Sequence, residues 1–447
     1  MDTKLRGGRL MDYLLPILAV LLLMVAPMVS AQDSTQEASP SIMTRTADGQ
    51  TITAWGWDTP EFNKPILDYI QQAAGVTVTD VTYTNAGVMD NVTTAIAAGG
   101  VGMPDVFKRG SNDIPALVDM GAIKDITDLV APYKALLPDV AWQMVTYEGK
   151  IWGVPANSPA GGVFWRYDMA EKYGVDPDQV KTWDDFIAAG QKISDASGGA
   201  AKIFQVPATG LPTEILWSIQ QGYKAEVIGE GDTVKIGPDS TEWKDTLALW
   251  RKVRDSNVGI QMDAWTQPWN TAIQDGSIVA FPIGTWFVET IKQQAPDSKG
   301  DWYFTPFPAN TADGSRYPDF GSATAFISST TEHPEAAMEW VKAWTMDPQG
   351  AIDIGLKQLG ISVVSEAALK DPFVTAPHEY FAKDQAYWKD ATEAFVNIPY
   401  VPPTTIHSAE ANDIFNRHLE QWWLGNENDE QFLTNTADEL RSSLGIQ

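Results

Sequence analysis

The sequence predicts an α/β fold of two or three domains, built as lobes woven from more than one stretch of chain. Strand and helix signals alternate, the 447-residue chain is too long for one core at about 150 residues per domain, and no linker divides it. Without a linker, the lobes are expected to share segments.

Thr51-Ile52-Thr53-Ala54-Trp55 is a β-rich run followed by Gly56 and Pro60, which reads as strand, loop and helix. Val76, Val78, Val81 and Tyr83 mark a second strand. Val88, Val92 and Ile96, at i, i+4 and i+8, mark a helix stopped by Gly99-Gly100, and Asp105-Val106-Phe107 is the next strand. This order predicts parallel pairing with right-handed crossovers, and ligand contacts at the carboxyl ends of the strands. Further along, Thr182 can cap a helix with Asp185 at its third position, ahead of apolar Phe186, Ile187 and Ile193. Pro334 opens a helix through Met346 with Ala337, Trp340, Val341 and Trp344 on one face, and Phe415, Leu419 and Trp422 share a face near the C-terminus.

At the N-terminus, Lys4, Arg6 and Arg9 precede an apolar run from Leu14 to Val29 that ends in Val29-Ser30-Ala31. That is the layout of a secretory signal peptide, residues 1–31, with cleavage expected after Ala31. Pro16 and Pro27 interrupt the run, which falls short of the roughly 20 apolar residues of a spanning helix. Residues 32–50 are mostly small and polar, and are expected to form a flexible leader. There is no cysteine, which excludes disulfides and a lipid-modified cysteine. An exported, soluble protein, periplasmic or extracellular, is expected. The formal net charge of −27 repels nucleic acid and disfavours anionic lipid surfaces and heavily phosphorylated ligands.

There is no G-x-G-x-x-G, P-loop, H-E-x-x-H, EF-hand loop or G-x-S-x-G. His333, His378, His407 and His418 have no metal-ligand spacing, so neither a metal nor a cofactor is expected. With 58 acidic residues, pairs such as Asp184 and Asp185 arise by chance, and none is selected as the two carboxylates of a glycosidase. The chain is expected not to be an enzyme.

Several stretches, in order, resemble one family. They are Ile52–Trp57, Val92–Phe107, Leu117–Ile123, Glu148-Gly149-Lys150-Ile151-Trp152-Gly153-Val154-Pro155 with Val163–Asp168 and Lys181–Phe186, Ala280–Trp286, Gly321-Ser322-Ala323, and Gln358–Ile361. The sequence is similar to the extracellular solute-binding proteins of carbohydrate ABC importers, maltodextrin-binding members included, from about Ile52 to Leu444. It departs from them in placing Arg166-Tyr167 where Asn-Lys is usual. The resemblance implies a two-lobed, periplasmic-binding-protein-like fold with a hinge. One lobe would be 51–157 plus 316–362, the other 158–315 plus 363–447. It also implies a monomer that closes on a sugar or oligosaccharide and hands it to the importer's membrane subunits.

Sugars present C–H faces that stack on aromatic rings and hydroxyls that need polar partners, and the chain has 18 Trp. Trp340, Trp344 and Trp422, at helical spacing, are expected in cores. Loop positions after strands are the candidate ligand contacts: Trp57 and Asp58 after the first strand, and Arg109, Asn112 and Asp113 after Phe107. By the resemblance, Trp165 stands where maltodextrin-binding members present a stacking tyrosine and Trp286 where they present a stacking tryptophan. Trp217 is balanced between core and cleft, Trp269 is weaker still, and Gly321 lies in a hinge-side segment. Two alternatives stay open: a glycerol-phosphate-like or other polar solute, for which Arg109 and Arg166 supply charge, and a secreted glycosidase.

Overall fold

Eight strands among the described residues build two principal sheets. They are β1 (Thr51–Gly56), β2 (Thr77–Thr82), β3 (Val106–Gly110), β4 (Val154–Pro155), β5 (Gly161–Arg166), β6 (Ala280–Gly284), β7 (Trp302–Thr305) and β8 (Ala323–Ile327). The structure, a computed structural model, describes residues 40–207, 210–320, 323–362 and 364–446. The expected signal peptide, residues 1–31, and Gly321 lie outside the described residues.

The first sheet has the order β2-β1-β3-β8-β4. Its early strands pair in parallel, as the alternating signals predict, while β8 returns from late in the chain to lie antiparallel between β3 and β4. That late strand makes the lobes interwoven. The second sheet, β6-β5-β7, is antiparallel throughout, and among the described residues parallel strand pairing in the second lobe is confined to the short pair Phe204–Val206 with Gly259–Gln261.

The helices form where their caps and apolar stripes dictate. Helix α1 (Pro60–Ala74) starts with the Thr59 hydroxyl accepting from Phe62 N, buries Ile66, Ile70 and Ala74 one turn apart, and ends at Gly75 with φ 73°. A side chain at Gly75 would also strike Asp48. Helix α2 (Asn85–Ala97) is the crossover between β2 and β3. Helix α3 (Trp183–Ala196) carries the expected capping box of Thr182 and Asp185. Helices α4 (Thr213–Tyr223), α5 (Phe287–Gln294), α6 (Pro334–Thr345), α7 (Tyr387–Val396) and α8 (Ser408–Trp423) complete the frame used below. Among the described residues, no helix is long and apolar enough to cross a membrane.

Three cores result. The first packs Phe107, Phe326 and Trp340 around the first sheet. Alternation along β5 then sends Val163 and Trp165 into a second core with Trp183 and Trp422, and Phe164 into a third with Phe287 and Tyr387. Trp340, Trp344 and Trp422 are buried, as their spacing predicts. The seam differs from the boundaries drawn from the sequence. Ala351, Ile352 and Leu356 pack in the third core, whereas Ala394, Phe395 and Ile398 pack in the first. Crossing segments are bonded to one another there: Ser158 N donates to Ser362 O at 2.6 Å, and Phe320 N to Pro159 O at 2.9 Å.

Residues 41–50, expected in the flexible leader, are docked: 41–44 on α6 and the turn after it, and 45–50 against the end of α1, where Arg45 donates to Gln72 O and Gly49 N to Gly75 O. Asp347 is fully buried; its Oδ1 accepts from Ser41 Oγ and Ile42 N, each at 2.7 Å. Glu339 accepts from Thr44 N and Oγ1, and Lys342 Nζ donates to Ile42 O. Buried carboxylates need donors, and this polar segment supplies them, a long-range demand that its composition does not reveal.

Candidate ligand-binding site

A cavity of about 530 Å³ lies where the two lobes meet, within the usual size of small-molecule sites. The first lobe contributes exposed Asn112, in the turn directly after β3. The second lobe contributes Trp217 and Gln220 from α4, and Trp286 between β6 and α5. Asp319 and Phe320 of a crossing segment lie behind, and Asn412 and Asn416 of α8 close another side.

Local packing sets each side chain. Ile215, Leu216 and Ile219 bury one stripe of α4, and Trp250 Nε1 donates to Leu216 O at 2.9 Å, which leaves Trp217 half-buried on the cavity side. The Trp217 ring meets Phe320 at 5.7 Å, and Phe320 stacks on Phe307 at 5.1 Å and 21°. Trp286 is 40% exposed and stacks on Trp265, 62% exposed, at 5.7 Å and 29°. The Trp286 indole lies so close to Gly284 that a Cβ there would sit 2.4 Å from Nε1. Gln221 holds the crossing segment in place: its Nε2 donates to Asp319 O at 2.6 Å and its Oε1 accepts from Asp319 N at 2.8 Å.

The charge of the lining is one-sided. Glu214, Glu226 and Asp319 line the cavity, and among the described residues no Lys, Arg or His does so. Glu226 accepts from the Tyr400 hydroxyl, and burial together with that carboxylate pushes the phenol well above its ordinary value. Aromatic faces, five side-chain amides and several acceptors suit a neutral, hydroxyl-rich ligand and oppose an anion. Among the described residues, no group of three or more His, Asp or Glu could hold a metal ion.

Of the expected contacts, Asn112, Trp217 and Trp286 come together here, and Gly321 lies outside the described residues. The other five do not line the cavity. Trp165 is corrected to a core residue: it is 0% exposed, its Nε1 donates to Thr305 Oγ1 at 3.0 Å, and it packs on Phe186. The direction of β5 explains the error. Its first residue, Gly161, pairs with Gly284 at the cavity, whereas Trp165 pairs with Ala280, about 13 Å further from it at strand rise. Trp269, 1% exposed, is likewise core.

Asp58 is paired with buried Lys108 at 2.8 Å, whose ammonium lies over the Trp344 ring, and Trp57 beside it is half-buried off the cavity. Arg109 pairs with Asp113 at 2.7 Å and donates to Asn85. Burial, partly offset by Arg109, raises the Asp113 carboxyl. Arg166, 5% exposed, is held by Asp168 and the carbonyls of Ile273 and Gln274. Both cations counted toward a phosphate ligand therefore serve the scaffold instead. Sequence reasoning missed Trp265, which sits in a loop with φ 64°, and Asn412 and Asn416. Their one available signal was i, i+4 spacing beside the apolar stripe of α8.

Residues 65–382, well over half of the chain, match the profile of the bacterial extracellular solute-binding protein family. The lactose-binding protein of Rhizobium radiobacter is 23% identical over 366 residues, covering 78% of this chain and 83% of that protein. The arabinooligosaccharide-binding protein of Bacillus subtilis is 23% identical over 278 residues, 58% of this chain and 60% of that one. The solved ABC-transporter-associated binding protein of B. animalis subsp. lactis, in complex with β-1,6-galactobiose, superposes with a TM-score of 0.73 at 20% identity, covering 88% of this chain and 97% of that one. The galacto-N-biose/lacto-N-biose I-binding protein of Bifidobacterium longum gives 0.70 at 17%, covering 89% and 98%. These structures share the two-lobed fold, and with the profile match they show that the chain belongs to the bacterial extracellular solute-binding proteins.

Proposed function

We propose that this solute-binding protein takes a sugar or oligosaccharide outside the membrane, closes its two lobes on it, and delivers it to an ABC importer. The observation that carries the reading is the lining of the cavity between the lobes: aromatic faces at Trp217 and Trp286, amides on both sides, and no cation among the described residues. The names of its relatives, lactose-binding and arabinooligosaccharide-binding, point the same way. Closure follows from the division of the walls: Asn112 and the tryptophans stand on different lobes, so ligand stabilises the state that brings them together. In this reading 51–157 with 316–362 form one lobe and 158–315 with 363–447 the other, with 351–356 and 394–398 crossing the seam. Residues 1–31 direct export, and the mature chain acts as a soluble monomer without catalysis.

The test is thermal denaturation with a saccharide panel, followed by analysis of the solution for products. A ligand at 100 times its Kd adds about 2.7 kcal/mol to stability, a clear, saturable rise in Tm. Stabilisation with intact saccharide supports a binder. Released monosaccharides would make the chain a glycosidase, and stabilisation by glycerol phosphate alone would contradict the charge reading.

A further inference from the structure

Beside the main cavity lies a smaller pocket of about 50 Å³. Glu214 and Ile283 line both spaces and so form a shared wall. Trp265, which stacks on Trp286 of the main cavity, lines the smaller pocket. Two polar groups of its lining residues are buried without a hydrogen-bond partner: the indole N–H of Trp269, itself 1% exposed, and Oε1 of Gln205. One is a donor and the other an acceptor. A hydroxyl answers both at once, accepting from the indole and donating to the amide oxygen.

Size narrows the class further. At about 10–15 Å³ for each water-sized group, the pocket takes a two-atom arm with room to orient it. A whole pyranose ring does not fit, since sites for entire small molecules begin at about 300 Å³. Among the described residues no Lys or Arg lines the pocket and Glu214 does, so the arm is not a carboxylate or a phosphate ester.

Resting on the sugar-binding reading above, we infer that this pocket receives the exocyclic hydroxymethyl group of a hexopyranosyl ring seated beside Trp286. The protein then prefers saccharides built of hexopyranoses to those built of pentopyranoses or 6-deoxy sugars. Ring stacking on Trp286 supplies contact that any pyranose shares, whereas the hydroxyl of the arm is the one ligand group that meets both the Gln205 acceptor and the Trp269 donor. A site that hydrogen-bonds a hydroxyl discriminates strongly against the analogue lacking it.

Calorimetric titration of the full chain with maltose, lactose and cellobiose, with xylobiose, and with the 6-deoxy form of the tightest hexose disaccharide tests this. Loss of the hydroxyl is expected to weaken binding at least about tenfold. Gln205→Leu, close in volume but without the acceptor, should shrink that ratio toward one while leaving pentose affinity in place. Trp269→Phe should do the same, and because Trp269 packs on Phe281 and Phe287, melting curves accompany both variants. If Trp269→Phe fails to fold, Gln205→Leu decides. Equal affinity for the hexose and 6-deoxy forms, preference for pentoses, or an unchanged ratio in Gln205→Leu overturns the subsite and leaves the sugar-binding reading standing. Failure of every saccharide to bind removes that reading, and the subsite with it.

Discussion

Replacing Trp286 by alanine removes the most accessible aromatic face of the cavity. Trp286 is 40% exposed, and a tryptophan offers at most about 250 Å², so about 100 Å² is left for a ligand to cover. At about 25 cal/mol per Å² that cover is worth about 2.5 kcal/mol, and allowing for incomplete contact about 2 kcal/mol, a factor of about thirty in Kd. The fold should tolerate the change, because the indole is part-exposed and its ring neighbours are Trp265, itself exposed, and Phe287. Trp165→Ala supplies the contrast: emptying a fully buried site costs about 3–5 kcal/mol of stability, with affinity kept in whatever fraction folds. Titration calorimetry of both variants with the tightest saccharide, alongside urea denaturation, separates the roles. Unchanged affinity in Trp286→Ala, or intact stability with weakened binding in Trp165→Ala, would refute the placement of these two rings.

Three further outcomes are expected. Gly284→Ala puts a Cβ 2.4 Å from Trp286 Nε1, so the indole must turn; binding should weaken about tenfold, about 1.4 kcal/mol, with a smaller change in Tm. Asp347→Ala strands the donors of Ser41, Ile42, Tyr69 and Gly350; denaturation should show a loss of about 3 kcal/mol, and limited proteolysis should cut near Arg45. Burial, and secondarily Lys292, lowers His378 from 6.5 to about 4. A depressed histidine favours the folded state above the unfolded value, so its stabilisation is complete above pH 6.5 and disappears as pH falls through about 4. The difference is on the order of 3 kcal/mol, and urea midpoints between pH 7 and 4 should fall more steeply for the native chain than for His378→Gln.

How much was legible beforehand depended on how local each signal was. The Thr182 cap, the Pro334 helix and the core placement of Trp340 and Trp344 rest on neighbours within one or two turns, and all are present. Trp286 and Asn112 were legible because each follows a strand whose carboxyl end opens on the cavity. Trp165 also sits near the end of its strand, but β5 runs away from the seam, and strand direction relative to the other lobe is not written in a local pattern. Arg109 and Asp58 looked free in the sequence because Asn85 and Lys108 become their partners only in three dimensions, while Asp113, four positions on from Arg109, was a partner within local reach. Docking of residues 41–50 depends on Asp347, some 300 positions away.

The central claim is that ligand bridges walls carried by different lobes, and small-angle X-ray scattering of the full chain with and without its tightest saccharide tests it most directly. A smaller radius of gyration at saturation, with no such change in Trp286→Ala at the same ligand concentration below that variant's Kd, is the predicted result. Superimposable profiles for the native chain, despite calorimetric proof of saturation, would contradict it.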